Sequence, residues 1–158
     1  MDVEEPQQDT AHVDSTTRAI VQQLQEDGRK SYAAIGKAIG MSEAAVRQRV
    51  NKALSSGIMS IVAVTDPRHM GFSRQAMVGV NAAGDVVDVA DQLAAMPEIN
   101  YVVVTTGRFD IMVDVVCADD EELLHVINDL IRKVPGVTAT ESFMYLALRK
   151  QEYNWGTL

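Results

Sequence analysis

From Ser31 to Leu54 the chain reads SYAAIGKAIGMSEAAVRQRVNKAL, two short runs in which apolar residues return every three or four positions. That period predicts two amphipathic helices hinged at Gly40. In the first, Ser31 is a good N-cap and Tyr32, Ile35 and Ile39 share the inward side. Small Gly36 lets a second helix cross closely, and Gly40 suits the left-handed backbone that ends many helices. Ser42 caps the second helix, Glu43 sits favourably in its first turn, and Val46, Val50 and Leu54 are its expected buried stripe. Ala45, Gln48, Asn51 and Lys52 occupy the opposite face, with Arg47 and Arg49 on its flanks. This is the sequence form of a helix-turn-helix, whose second helix enters the DNA major groove. Small, amide and cationic side chains suit the reading of base edges and the gripping of phosphates. The plainer alternative is a helical hairpin with a solvated basic face.

Before this motif, Asp14 can cap a helix whose apolar stripe is Ile20, Val21 and Leu24, ended by Asp27-Gly28. After it, the β-branched run Ile58 to Thr65 predicts a strand, either a wing or a link to the next domain. Asp66 to Ser73 is turn-like. The pattern then alternates strand (Gln75 to Ala82), helix (Asp85 to Met96), strand (Ile99 to Thr106) and, after a turn at Gly107 to Asp110, strand (Ile111 to Cys117). A helix over Asp119 to Val134 comes next, acidic in its first turn and basic in its last, and Val137 to Leu148 predicts the final strand. The order βαββαβ is ferredoxin-like, with both helices on one face of a four-stranded antiparallel sheet. The strands are apolar at both parities: Val102 and Val104 against Tyr101 and Val103, Ile111 and Val113 against Met112 and Val116. A sheet apolar on both sides calls for a second partner, and a symmetric dimer is the commonest solution. Asp114, inside this apolar pattern, fits a solvent-facing or an interface position equally.

The expected class is therefore α+β. Residues 1–13 read as an acidic, disordered leader and not a secretory signal. Residues 14–65 would form the helix-turn-helix domain with its following strand, 66–74 a linker, 75–150 the βαββαβ domain and 151–158 a tail carrying Tyr153 and Trp155. The 158 residues are 47% hydrophobic, enough for one or two small cores. No apolar run approaches the roughly 18 residues of a membrane span. Cys117, the only cysteine, cannot form an internal disulfide and reads as a small buried hydrophobe, in weak agreement with a reducing cytoplasm. The net charge of −8 argues against nucleic acid until its distribution is considered. Residues 28–52 hold Arg29, Lys30, Lys37, Arg47, Arg49 and Lys52 against Glu43 alone. A local basic surface on an acidic protein binds DNA well when several copies act together, with marked salt sensitivity.

Several elements in sequence then resemble one family. They are Asp27-Gly28-Arg29 before the second helix, GMSEAAVRQRV across the turn, SGIMSIVAVTDPRHMG after it, Thr106-Gly107-Arg108-Phe109-Asp110 between strands and PGVTATES opening the last strand. Together they span about Val13 to Lys150 and resemble the Lrp/AsnC (feast/famine) transcriptional regulators. The resemblance implies a bacterial or archaeal, cytoplasmic, nucleoid-associated regulator that binds double-stranded DNA as a homodimer assembling to tetramers or octamers. It also implies an amino-acid effector bound between dimers of the C-terminal domain, with no cofactor and no metal. Lys37, Ser42, Ala45, Arg47, Gln48, Arg49 and Lys52 would form the DNA face, and Thr106, Gly107, Arg108, Phe109, Asp110, Thr140 and Ser142 the effector site. A glycine turn exposes N–H groups to a ligand carboxylate, Asp110 can receive an ammonium, and hydroxyls on alternate residues of a strand reach one ligand. Without the resemblance, residues 107–110 read as a hairpin turn and the two hydroxyls as surface β-formers. Two departures stand out: Val13 replaces the usual Leu, and Thr17 replaces a common Asp, which puts a contact from the first helix in doubt.

Two other function classes compete. Sirohaem decarboxylases look like the same family, but His12, His69 and His125 are the only histidines and are scattered over leader, linker and helix, with no metal-ligand or triad spacing. A small-molecule-binding module acting through protein partners would have no need of residues 14–56. The expectation is thus a regulator with no catalytic residues.

Overall fold

The computed structural model describes residues 13–153, so the leader short of Val13, with His12, and Trp155 in the tail lie outside the described residues. The chain divides into two compact units, residues up to Ala63 joined by the segment from Lys150, and residues 64–149.

In the first unit three helices form: α1 (Ser15–Glu26), α2 (Tyr32–Ile39) and α3 (Glu43–Ser55). Each begins where a side-chain oxygen accepts a free backbone N–H of the first turn: Asp14 from Thr17, Ser31 from Ala34 and Ser42 from Ala45. Gly40 ends α2 with φ 73°, a left-handed turn that a side chain would strain. At Gly36 a Cβ would stand 2.5 Å from the Met41 carbonyl oxygen, so the close approach is to the turn itself. Ile20, Leu24, Ile35, Val46 and Val50 make the core, with Tyr32 and Ile39 packed at its edge. Leu54 departs from expectation. It is exposed, and Ala53 is buried in its place, because the 3.6-residue period advances the buried stripe one position over two turns.

The strand expected over Ile58 to Thr65 is absent. These residues follow no regular structure, and Ile58, Ile61, Val62 and Val64 are exposed. A strand needs a neighbour for its N–H and C=O groups, and among the described residues this segment finds only Ala53 O, which accepts from Met59 N–H. No wing follows α3 within the described residues.

The second unit is the βαββαβ fold: β1 (Arg74–Ala82), α4 (Val86–Ala94), β2 (Ile99–Val104), β3 (Ile111–Cys117), α5 (Asp120–His125) and β4 (Val137–Met144). The sheet order is β2-β3-β1-β4, every pair antiparallel. β3 alternates strictly, with Ile111, Val113, Val115 and Cys117 buried beneath α4 and α5 and Met112, Asp114 and Val116 on the other face. The helix expected over 119–134 is regular only to His125. It widens into a π turn at Val126–Leu130 and tightens into a 3-10 turn at Ile131–Lys133. Across this change of pitch Leu123, Val126, Ile131 and Val134 all stay buried in the core. The final strand stops at Met144, with one more bond from Tyr145 N–H to Gln75 O, and Leu146 and Leu148 are exposed.

Candidate nucleic-acid interface and effector loop

Helix α3 presents Ala44, Gln48, Asn51, Lys52 and Ser55 outward, opposite buried Val46 and Val50. Gln48 lies at the centre of this face with its exposed amide turned to solvent, the group that can pair bidentately with adenine. Lys52 is exposed one turn further along α3, Lys37 is exposed on α2, and Ala45 is half-buried at the margin of the face. Ser42 spends its oxygen on the Ala45 N–H at 3.2 Å and keeps its hydroxyl proton to donate.

The two flanking arginines are already engaged. Arg47 pairs with Glu43 at 2.6 Å one turn earlier and lies 5.2 Å from the centre of the Tyr32 ring. Arg49 reaches the N-terminus of α1, where Nη1 meets Asp14 Oδ2 at 2.6 Å and Thr17 Oγ1 at 3.0 Å. The contact placed in doubt by Thr17 therefore exists, with the hydroxyl accepting where a carboxylate was expected. Asp14 is held at about 2 by the Thr17 backbone N–H and by Arg49. Arg49 thus ties α3 to the N-terminus of α1, a contact that sequence spacing did not suggest.

In the second unit, residues 105–110 form a tight loop at one end of the sheet. Thr105 N–H donates to Asp110 O at 2.8 Å, and the Thr105 hydroxyl to Phe109 O at 2.7 Å. Asn81 Nδ2 donates to Arg108 O at 2.8 Å, and Asp110 N–H to Val80 O. The Asp110 carboxylate accepts the Ala82 N–H at 2.9 Å, which leaves its second oxygen for another donor. Phe109 folds back across the sheet face without helices and lies on Gly79, where a Cβ would come within 2.6 Å of the ring. Its ring meets the edge of Phe143 with centroids 5.8 Å apart. Arg108 stacks 5.3 Å from the Phe109 centroid and pairs with Glu141 at 2.7 Å.

The register divides the expected effector residues. Thr140 and Ser142 pair with core-facing Val80 and Val78, so both stand on the helix side, and the Thr140 hydroxyl accepts from Arg132 Nε at 2.8 Å. Glu141 and Phe143 pair with Gly79 and Met77 on the opposite face, with Phe109 and Arg108. Thr106 and Gly107 are exposed at the loop tip. Asn81, Gly79, Glu141 and Phe143 are the residues that sequence reading missed. The lone glycine inside an apolar strand was the available signal, since it marks a close approach.

No group of three His, Cys, Asp or Glu side chains among the described residues could hold a metal ion, and no helix among them is long and apolar enough to cross a membrane. His69 lies beside Asp66, and His125 beside Asp129.

Comparison with known proteins agrees with both units. The AsnC-type helix-turn-helix domain matches residues 13–53, and a C-terminal dimeric alpha+beta barrel domain of AsnC-type regulators matches residues 72–158. An HTH-type transcriptional regulator of Pyrococcus horikoshii is 33% identical over 150 residues, 94% of this chain and 95% of that protein. The structure of Escherichia coli AsnC superposes with a TM-score of 0.77 at 24% identity, covering 89% of this chain and 97% of that one. A transcriptional regulator from Neisseria meningitidis, solved as a complex with L-Met, superposes at 0.78 with 23% identity over 90% and 96% of the two chains. The names of these relatives describe transcriptional regulators, in line with the regulator expected from the sequence. DNA-binding regulation is the function shared at this level, and the chain belongs to the Lrp/AsnC family of helix-turn-helix transcriptional regulators.

Proposed function

We propose that this chain is a sequence-specific DNA-binding regulator that acts as a homodimer, assembles further to tetramers or octamers, and responds to an amino acid. The observation that carries the reading is the outward face of α3, where exposed Gln48 shares the face with Asn51 and Lys52, with Lys37 exposed on α2. Two such helices in a dimer would enter successive major grooves about one helical turn or a multiple apart. Gln48 and Ser42 would meet base edges, Ala45 would allow close approach, and Lys37 and Lys52 would hold phosphates. Arg47 and Arg49, both paired within the unit, act first as struts and reach DNA only by giving up those partners.

Pairing through the sheet face without helices is supported by its residues: Tyr101, Met77, Met112, Val116 and Phe143 share it. The matching C-terminal domain is described as dimeric, which agrees. For the effector, Thr106, Gly107 and Asp110 are the groups free to meet a small zwitterion at the loop, and Arg108 would join them by giving up Glu141. Arg108 would receive its carboxylate and the second oxygen of Asp110 its ammonium, with Phe109 fixing the loop beneath. Thr140 and Ser142, on the helix side of edge strand β4, would complete the site only where a neighbouring dimer closes it. The L-Met bound by the Neisseria meningitidis regulator supports a ligand of this class.

The test is fluorescence anisotropy on a duplex selected by the protein, with the Gln48→Ala variant alongside and each of the twenty amino acids added in turn. Gln48→Ala should weaken the selected site by about 1–3 kcal/mol and nonspecific DNA far less. Undiminished discrimination would overturn the groove assignment, and a flat response to every amino acid would overturn the effector assignment.

A further inference from the structure

Across the middle of the helix-free sheet face, the ladder sets Tyr101, Asp114, Met77 and Phe143 side by side. Along its own strand Asp114 lies between Met112 and Val116. Gln75 Nε2 donates to its Oδ2 at 3.1 Å, and the Tyr145 hydroxyl approaches from past the end of β4. Its other oxygen, Oδ1, is buried and has no partner among the described residues. A carboxylate oxygen without a donor in apolar surroundings is expensive when ionised and much less so when protonated.

We infer that Asp114 makes the pairing of the two sheets proton-linked: each sheet joins with Asp114 neutral, so the assembly tightens as pH falls and loosens as pH rises. This rests on the proposal that the helix-free faces pair. A self-complementary interface brings the same patch from both copies together, so two Asp114 side chains enter one dry layer. Among the described residues, the groups facing Asp114 give it no cation. Gln75 on β1 is uncharged, and Tyr101 on β2 and Tyr145 after β4 are phenols. Arg108, on the same face, is already paired with Glu141. Burial pushes the Asp114 carboxyl up even in the single chain, opposed by Gln75 and Tyr145, and the second sheet would add to that burial. A value raised on association means that a proton is taken up on association. The gain is therefore complete at low pH and disappears as pH rises through the paired-state value.

The experiment measures the dimer dissociation constant of the full chain by sedimentation equilibrium between pH 5.5 and 8, with subunit exchange between two fluorescently labelled pools wherever pairing is too tight to dissociate. The partner sample is Asp114→Asn, which keeps shape and hydrogen bonding and removes the titration. Both carry the same background change in net charge, so their difference isolates Asp114. The wild type should weaken relative to Asp114→Asn by up to about tenfold per pH unit for each proton bound on association. Parallel curves for the two proteins would overturn the inference. Tyr101→Glu, an exposed position in the same row, distinguishes the underlying reading. Unchanged dimerisation in that variant would show that the sheet faces do not pair, whatever the pH profile of the wild type.

Discussion

Replacing Gly79 by alanine puts a methyl group where the Phe109 ring now lies. The added Cβ would stand 2.6 Å from two ring carbons and 2.7 Å from a third. Carbon atoms rest at about 3.5–4.0 Å, so the ring must move out by roughly 1 Å. It cannot do so alone, because Thr105 Oγ1 holds the Phe109 carbonyl and Asn81 holds that of Arg108. Overpacking of this kind costs about 1–3 kcal/mol. The assay is urea unfolding followed by circular dichroism at several protein concentrations, in a double-mutant cycle with Phe109→Ala. With the ring gone, Gly79→Ala should cost nothing or stabilise slightly, since alanine loses less backbone freedom than glycine in a strand. The cycle should therefore return a coupling of about 1–3 kcal/mol. A penalty that survives intact in the Phe109→Ala background would contradict this packing, and would mean that Gly79 serves the strand and not the ring.

Asp14, held at about 2, contributes stability that is complete above the ordinary carboxylate range and is lost as pH falls from about 4 towards 2. Thermal melts of the wild type and Asp14→Asn should therefore differ at pH 5 and converge at pH 2; a constant gap would contradict the Arg49 strut. Asp110→Asn keeps an acceptor for the Ala82 N–H and removes the charge offered to a ligand ammonium. It should leave DNA binding and the melting temperature nearly unchanged while abolishing any amino-acid response, and a retained response would remove Asp110 from the effector site.

Features set by neighbours along the chain were legible in the sequence. Ser31, Ser42 and Asp14 cap the helices that their spacing predicts, and Gly40 turns as its type suggests. Features set by distant groups were hidden. Ile58 to Thr65 has a strand's composition and no strand beside it. Arg49 looked like part of the DNA face because nothing local shows that the start of α1 offers Asp14 and Thr17 across 35 and 32 residues. Thr140 and Ser142 were grouped correctly with each other, but only the ladder reveals that Phe109 and Arg108 lie on the opposite side. The π turn at Val126–Leu130 escaped for a related reason. The run has apolar residues to satisfy a uniform helix, and the core beneath it decides which of them turn inward.

The proposed function stands or falls on whether two α3 helices of a symmetric pair read DNA through the face around Gln48. The decisive measurement is enrichment of bound sequences from a random duplex library by the full-length protein, repeated with Gln48→Ala. The wild type should enrich two half-sites related by a two-fold axis, spaced by a helical turn or a multiple of one. In Gln48→Ala the spacing should persist while base preference weakens within each half-site. Enrichment of no common sequence, or of a single unpaired half-site, would contradict the proposal.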